Sequence, residues 1–153
     1  MALRMTDELD IPTTPRRGRI HLGVDLISVK EVSRSLERFG ERYIRRVFTS
    51  REAAYCRAGI GPVAAARFAV RFAAKEATLK ALRPDDPSAD WRSIEVRRHH
   101  PSGWCDVVLH GEMAALAADR GIETLALSMS HDEDHAIAVV VAQAAAHARH
   151  QEP

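Results

Sequence analysis

One stretch limits the possible folds more than any other. From Val63 to Leu82 the chain is rich in Ala and holds neither Gly nor Pro, so it reads as a single long helix. Gly59-Ile60-Gly61-Pro62 breaks the chain before it, and Pro84-Asp85-Asp86-Pro87 stops it behind.

The segments on either side read as shorter elements. Ile20, Leu22 and Val24 alternate as a strand. Val29, Val32, Leu36 and Phe39 recur at helical spacing behind Ser28, a suitable N-cap. Tyr43, Ile44 and Val47 suggest a further short helical stretch, and Thr49 with Glu52 fits a capping box that opens a helix to about Ala58. Beyond the long helix, Ile94 and Val96 mark one strand and Cys105, Val107 and Leu109 the next, joined as a hairpin through Pro101-Ser102-Gly103. Glu112 to Arg120 reads as a short helix with Gly121 at its C′ position. Leu125, Leu127 and Met129 alternate, residues 131–135 turn, and Ile137 to Val141 reads as a buried strand. Helices mixed with hairpin-connected strands predict an α+β fold. Residues 1–18 are expected to form a flexible N-terminal extension, 19–143 a single domain and 144–153 a frayed C-terminal tail.

Composition excludes several classes. With 22 Lys and Arg against 21 Asp and Glu in 153 residues, there is no basic excess of the kind that nucleic-acid binding requires. Cys56 and Cys105 stand far apart and form neither a metal spacing nor a disulfide framework, which suits reduced thiols. The acidic residues Asp7, Glu8 and Asp10 precede the basic ones near the start, unlike a signal peptide. Ala136 to Ala142, the longest strongly apolar run, is too short to cross a bilayer. A cytoplasmic protein without membrane contact is the expectation.

Four short islands could carry chemistry: Gly23-Val24-Asp25-Leu26, Arg71 to Ala77, Lys80-Ala81-Leu82 and Ser128-Met129-Ser130-His131. Each has an ordinary reading by itself. Asp25 at a strand end suits a cap. Glu76 and Lys80 are spaced i,i+4 in the orientation of a solvated pair, and His131 stands in a polar turn beside Asp132. Helical spacing sets Arg67, Arg71 and Lys75 on one face and Phe72, Glu76 and Lys80 on the adjacent one. One side of the helix could then present an acid flanked by cations, a composition that permits a phosphate and Mg²⁺ site.

Taken together and in this order, the islands resemble the holo-acyl-carrier-protein synthase group of phosphopantetheinyl transferases. That family has an early Gly-x-Asp strand end, a helix bearing Phe-x-x-Lys-Glu-Ala-x-x-Lys-Ala, and a late Ser-x-Ser-His. Here these are Gly23-Val24-Asp25, Phe72 through Ala81, and Ser128 through His131. Asp25 and Glu76 stand 51 residues apart, a separation like the family's. The likeness runs from about residue 20 to residue 142, and the Lys-Glu-Ala-x-x-Lys block is its specific part.

The resemblance implies a 4′-phosphopantetheinyl transferase-like fold, with an antiparallel sheet packed with one long and several short helices. It implies transfer of the 4′-phosphopantetheine arm of coenzyme A to a serine of an acyl carrier protein, with 3′,5′-ADP leaving. Asp25 and Glu76 would hold Mg²⁺, and Lys80 would neutralise the departing nucleotide. Arg71, Lys75, Lys80, Ser130 and His131 would contact the coenzyme. Asp132 would orient His131 or take the serine proton through a water, and a metal-bound water is an equal alternative. Carrier proteins are acidic around the target serine, so Arg34, Arg38 and Arg42 would dock the partner, with Arg45 near the same face. A chain this short resembles the homotrimeric type.

Departures are visible as well. Ser28 stands where the family often has an acid, Arg83-Pro84-Asp85-Asp86-Pro87 replaces a Gly-rich segment, and the hairpin that usually carries Gly-basic-Pro reads Ser102-Gly103-Trp104-Cys105. They suggest a specialised carrier, as in polyketide or peptide assembly, beside the fatty-acid alternative. They also motivate a silent relative that binds carrier protein or coenzyme A without transfer. An unrelated metal site on His131, Asp132, Asp134 and His135, with His99 and His100 nearby, is a third class.

Overall fold

The computed structural model describes residues 19–86, 88 and 90–145. Strand β1 (Ile20–Ser28) leads into helix α1 (Val29–Val47), then α2 (Ser50–Arg57) and α3 (Pro62–Leu82). A 3₁₀ turn (Trp91–Ser93) precedes the β2 (Ile94–Arg98) and β3 (Cys105–Leu109) hairpin, followed by α4 (Gly111–Asp119), β4 (Ile122–His131) and β5 (His135–Ala144). The α+β reading holds. β5 lies between β1 and β4 in one antiparallel sheet, and β2–β3 form a second.

Local chemistry sets the boundaries. The Ser28 hydroxyl accepts from the Glu31 N–H at 3.4 Å to open α1. Thr49 and Glu52 form the complete capping box of α2. The two helical stretches expected either side of Gly40 are both present within α1, separated where Gly40 leaves helical backbone at φ 50° and ψ −129°. Gly121, at φ 65°, follows α4 as its spacing suggested. Strand β5 is longer than Ile137–Val141: Ala136, Ala142 and Ala144 extend its buried face. Ala144 therefore belongs to the sheet and not to a tail, and its N–H donates to Arg19 O at 2.9 Å. The expected extension 1–18 and the tail beyond Ala145 lie outside the described residues.

Helix α3 lies across the inner face of the three-stranded sheet. Ala73, Ala74, Ala77 and Ala81 are buried on it, against Ala138, Val140 and Ala142 of β5. Small side chains on both surfaces let backbone approach backbone, and dispersion gains depend on that closeness. The opposite sheet face is different. Ile20, Leu22, Val24, Leu26 and Ile137 share it and stay 40–72% exposed. An antiparallel sheet ordinarily turns polar residues to water. No described helix is long and apolar enough to cross a membrane.

Candidate functional site

The closest approach of α3 to β1 builds the site. A Cβ on Gly23 would lie 1.8 Å from the Ala77 carbonyl oxygen, so only glycine fits there. Two residues on, and on the same inward face, Asp25 is brought against the next turns of α3. Its Oδ1 accepts from Lys80 Nζ at 2.7 Å, and the same ammonium donates to Val24 O at 3.0 Å. Glu76, one turn before Lys80, is half-buried beside them.

The electrostatics favour a cation at this point. Burial pushes the Glu76 carboxyl above its ordinary range, and the Asp25 charge pushes it the same way, while Lys80 opposes both. Two carboxylates with one shared ammonium supply fewer ligands than a closed protein cage. Mg²⁺ takes one or two carboxylates and completes its shell from water and phosphate oxygens, so the donor set fits that ion. Among the described residues no group of three or more His, Cys, Asp or Glu gathers as a metal site. His131, Asp132, Asp134 and His135 therefore do not form the separate centre considered above.

The other expected site residues divide. His131 ends β4 on the inward face, since it pairs with Ala136, which pairs with Ile27. It lies across β5 from β1, on the side that carries Asp25. Ser130 has the opposite orientation: it pairs with Ile137 and shares the outer face with Leu26. Within one protomer it is separated from Asp25 by the sheet. Asp132 Oδ1 accepts from the N–H groups of Asp134 at 2.8 Å and His135 at 2.7 Å. Those bonds hold its carboxyl below the usual range and show a turn cap; no hydrogen bond joins it to the His131 ring among the described residues. Arg34, Arg38 and Arg42 are exposed on α1. The Gly40 kink interrupts the single face expected for Arg34, Arg38, Arg42 and Arg45. Arg38 lies 5.1 Å from the exposed Phe39 ring.

Lys75 requires correction, and Arg71 is set deeper than an open helix face would hold it. Lys75 is fully buried, paired with Glu52 Oε2 at 2.8 Å, and donates to Trp91 O at 3.0 Å and to Ile94 O. Burial pulls its ammonium below the ordinary range, with Glu52 opposing. Glu52 itself accepts from Thr49 and Val96 N–H. This pair ties α2, α3 and β2 together and leaves nothing for a coenzyme. Arg71 is 3% exposed and faces Tyr55 of α2. The cations and the acid thus do not flank one another on an open helix side: Glu76 and Lys80 face β1, and Arg71 and Lys75 face α2 and β2. The helix carries a signal of this burial, because Val70, Phe72, Ala73, Ala74 and Ala77 surround the charged residues with apolar neighbours on every side.

The departure after Leu82 has a structural account. Arg83 caps α3 in the left-handed region at φ 50°, the conformation a glycine would take, and its N–H donates to Leu79 O at 2.7 Å. Arg120 Nη1 donates to the Leu82 and Arg83 carbonyls, satisfying that helix end from the end of α4.

Comparison with known proteins agrees with this architecture. Residues 21–140 match the family model of the 4′-phosphopantetheinyl transferase superfamily. The chain is 38% identical over 120 residues to the holo-[acyl-carrier-protein] synthase of Koribacter versatilis, covering 78% of this chain and 94% of that one. It is 46% identical over 121 residues to that of Syntrophotalea carbinolica, covering 78% and 92%. Among solved structures, the Chronobacterium ammoniagenes ACPS–CoA complex superposes with a TM-score of 0.74 at 31% identity, covering 82% of this chain and 98% of that one.

Proposed function

The chain belongs to the 4′-phosphopantetheinyl transferase superfamily, and from that premise we propose that it transfers the 4′-phosphopantetheine arm of coenzyme A to a serine of an apo-acyl carrier protein. The observation that carries this reading is the meeting of Asp25, Glu76 and Lys80 where Gly23 touches α3. The coenzyme bound in the related Chronobacterium ammoniagenes structure supports it as co-substrate.

In this reading Asp25 and Glu76 hold Mg²⁺, which supplies charge neutralisation to the phosphoanhydride when bound. The serine hydroxyl passes its proton to a water as its oxygen forms a bond to the β-phosphorus, the bond to the bridging oxygen breaks, and 3′,5′-ADP departs with that oxygen. Phosphoryl transfer asks the protein mainly for positioning and electrostatic stabilisation. Lys80, half-exposed, can swing from Asp25 toward the leaving oxygen as negative charge develops there. His131, on the same sheet face, contacts the coenzyme.

Arg34, Arg38 and Arg42, with Phe39 exposed among them, offer an acidic partner both charge and an apolar anchor. Arg38→Glu with Arg42→Glu should weaken carrier binding and spare coenzyme A binding; unchanged carrier affinity refutes the assignment. The exposed apolar face of Ile20, Leu22, Val24, Leu26 and Ile137 is covered by further copies of this chain in a homotrimer. A monomer in light scattering at working concentration rules that out.

The transfer itself is tested by incubating the protein with coenzyme A, Mg²⁺ and a panel of apo-carriers from fatty-acid and polyketide systems, then reading intact carrier masses. A phosphopantetheine mass gain that needs both metal and Glu76, with Glu76→Gln as control, supports the reading and ranks the carriers. Coenzyme A binding without a gain on any carrier would replace it with a silent binding relative.

A further inference from the structure

Arg83 holds a backbone conformation that suits it poorly. At φ 50° and ψ 61° it closes α3 in the left-handed region, and it is the one non-glycine residue at positive φ among the described residues. A residue with a Cβ is disfavoured there, so the conformation persists only where its surroundings hold it. One side chain supplies that hold. Arg120, reaching from the end of α4, donates from Nη1 to Arg83 O at 2.6 Å and to Leu82 O. Its Nη2 also lies 3.5 Å from Asp85, but that carboxylate is almost wholly in solvent and the ion pair adds little. The two carbonyl bonds satisfy orphan acceptors of the helix end, and the guanidinium charge opposes its negative pole.

The turn held in this way carries Lys80. On one side it rests on β1, where a Cβ on Gly23 would lie 2.7 Å from Ala81 N. On the other, Leu82 O and Arg83 O are tied to Arg120. Among the described residues no other side chain donates to a carbonyl of residues 79–83. Lys80 itself bonds Val24 O and Asp25 Oδ1, and so helps to fasten the turn to β1. Once its ammonium leaves Asp25 for the departing oxygen, that fastening is gone. Arg120 is the side-chain anchor that remains.

We infer that Arg120 is a positioning residue for the transfer: through Leu82 O and Arg83 O it holds the last turn of α3 against β1 and so fixes where the Lys80 ammonium can reach. Arg83 stands where the family has a Gly-rich segment, and Arg120 supplies the restraint that a glycine would not need. The consequence for rate rests on the transfer reading above; the placement of Lys80 does not.

The lysine content allows a test that does not depend on activity. Lys30, Lys75 and Lys80 are the only lysines of the chain; Lys30 is exposed and Lys75 fully buried. Amine acetylation read by peptide mass therefore measures Lys80 against Lys30 within one molecule. Full-length wild type, Arg120→Met, Arg120→Lys and Arg120→Met combined with Arg83→Gly are compared in this footprint and in transfer kinetics. Arg120→Met keeps an unbranched stem and removes the donors. It should raise the Lys80-to-Lys30 ratio about threefold as the turn opens. It should also lower kcat about tenfold while KM for coenzyme A and carrier stays within about twofold. Arg83→Gly, which needs no restraint at this φ, and Arg120→Lys, which still donates, should each restore both values. Melting temperatures verify folding, and if Arg120→Met melts below the assay temperature, Arg120→Gln, which keeps part of the donation, takes its place. A folded variant with wild-type ratio and kcat overturns the inference. So does a loss of kcat at an unchanged ratio, because Arg120 would then act elsewhere than on Lys80, and so does a raised ratio at wild-type kcat. Wild type that transfers to no carrier, with the ratio still raised in Arg120→Met, would refute the transfer reading and leave the placement of Lys80 by Arg120 standing.

Discussion

Gly23→Ala tests the geometry on which the site depends. The added Cβ would stand 1.8 Å from Ala77 O, whereas real Cβ contacts essentially never fall under 3.0 Å, so strand and helix must separate by about 1.2 Å. The obstacle is backbone, so no side-chain rotation relieves it. Carried along α3, the shift of about 1.2 Å moves the Glu76 backbone away from β1 and Asp25, a change that the long Lys80 side chain can follow and the shorter Glu76 side chain follows less. Overpacking of this kind costs roughly 1–3 kcal/mol where side chains can yield, and the rigid contact here places Gly23→Ala at the upper end, near 3 kcal/mol. Misplacing a catalytic group by about 1 Å costs about a hundredfold in rate. The assay pairs urea unfolding with transfer measured by carrier mass at a temperature where the variant remains folded. A variant with wild-type stability and turnover would refute the argument that Gly23 sets the Asp25–Glu76 spacing.

Three further outcomes are expected. Lys75→Met leaves the Glu52 carboxylate buried without its cation and should cost about 3–5 kcal/mol in urea unfolding; a loss under about 1 kcal/mol would show the pair to be solvated. Burial raises the Glu95 carboxyl, but the hydrogen bonds from His110 and Arg97 outweigh it and lower the group below its ordinary 4.5. A depressed carboxylate stabilises the fold above its unfolded value and loses that contribution as pH falls through its folded value, so the melting-temperature advantage of wild type over Glu95→Gln should shrink below about pH 4.5, and a constant difference would contradict it. Asp132→Asn keeps the turn-capping oxygen and removes the charge, so transfer should stay within about twofold; a folded variant slowed about a hundredfold would restore Asp132 as an acid–base group.

The sequence showed local structure well where a local rule applies. The Thr49–Glu52 capping box, the long alanine helix, the alternation of β1 and the Gly121 stop all follow from neighbours in the chain. Asp25, Glu76 and Lys80 could be picked out, but the reason they meet lies in a contact between Gly23 and Ala77 that no local pattern encodes. Lys75 misled for the same reason. Its spacing from Arg71 is a helical fact, whereas the surface that buries both comes from α2 and β2. Ser130 and His131 are adjacent in the chain, and strand pleating sends them to opposite faces, which spacing could have warned of. Tyr55 reads as ordinary core, an aromatic in a short helix, and only the fold sets Arg67 and Arg71 over its ring.

Lys75 and Glu76 are consecutive residues with opposite duties, one locked among carbonyls and a buried carboxylate, the other turned to Asp25. Rolling α3 about its axis to retune the Glu76–Asp25 separation would tear Lys75 from Glu52 at the same moment. The helix therefore behaves as a keyed shaft, and substrate preference has to diversify without rotating it. The segments free to change are those beyond its ends and beside it, the 83–90 connection and the 99–104 hairpin loop. These are where this chain replaces the family's Gly-rich and Gly-basic-Pro stretches. New carrier or coenzyme preferences would be written there, leaving the spacing of the reacting groups inherited intact.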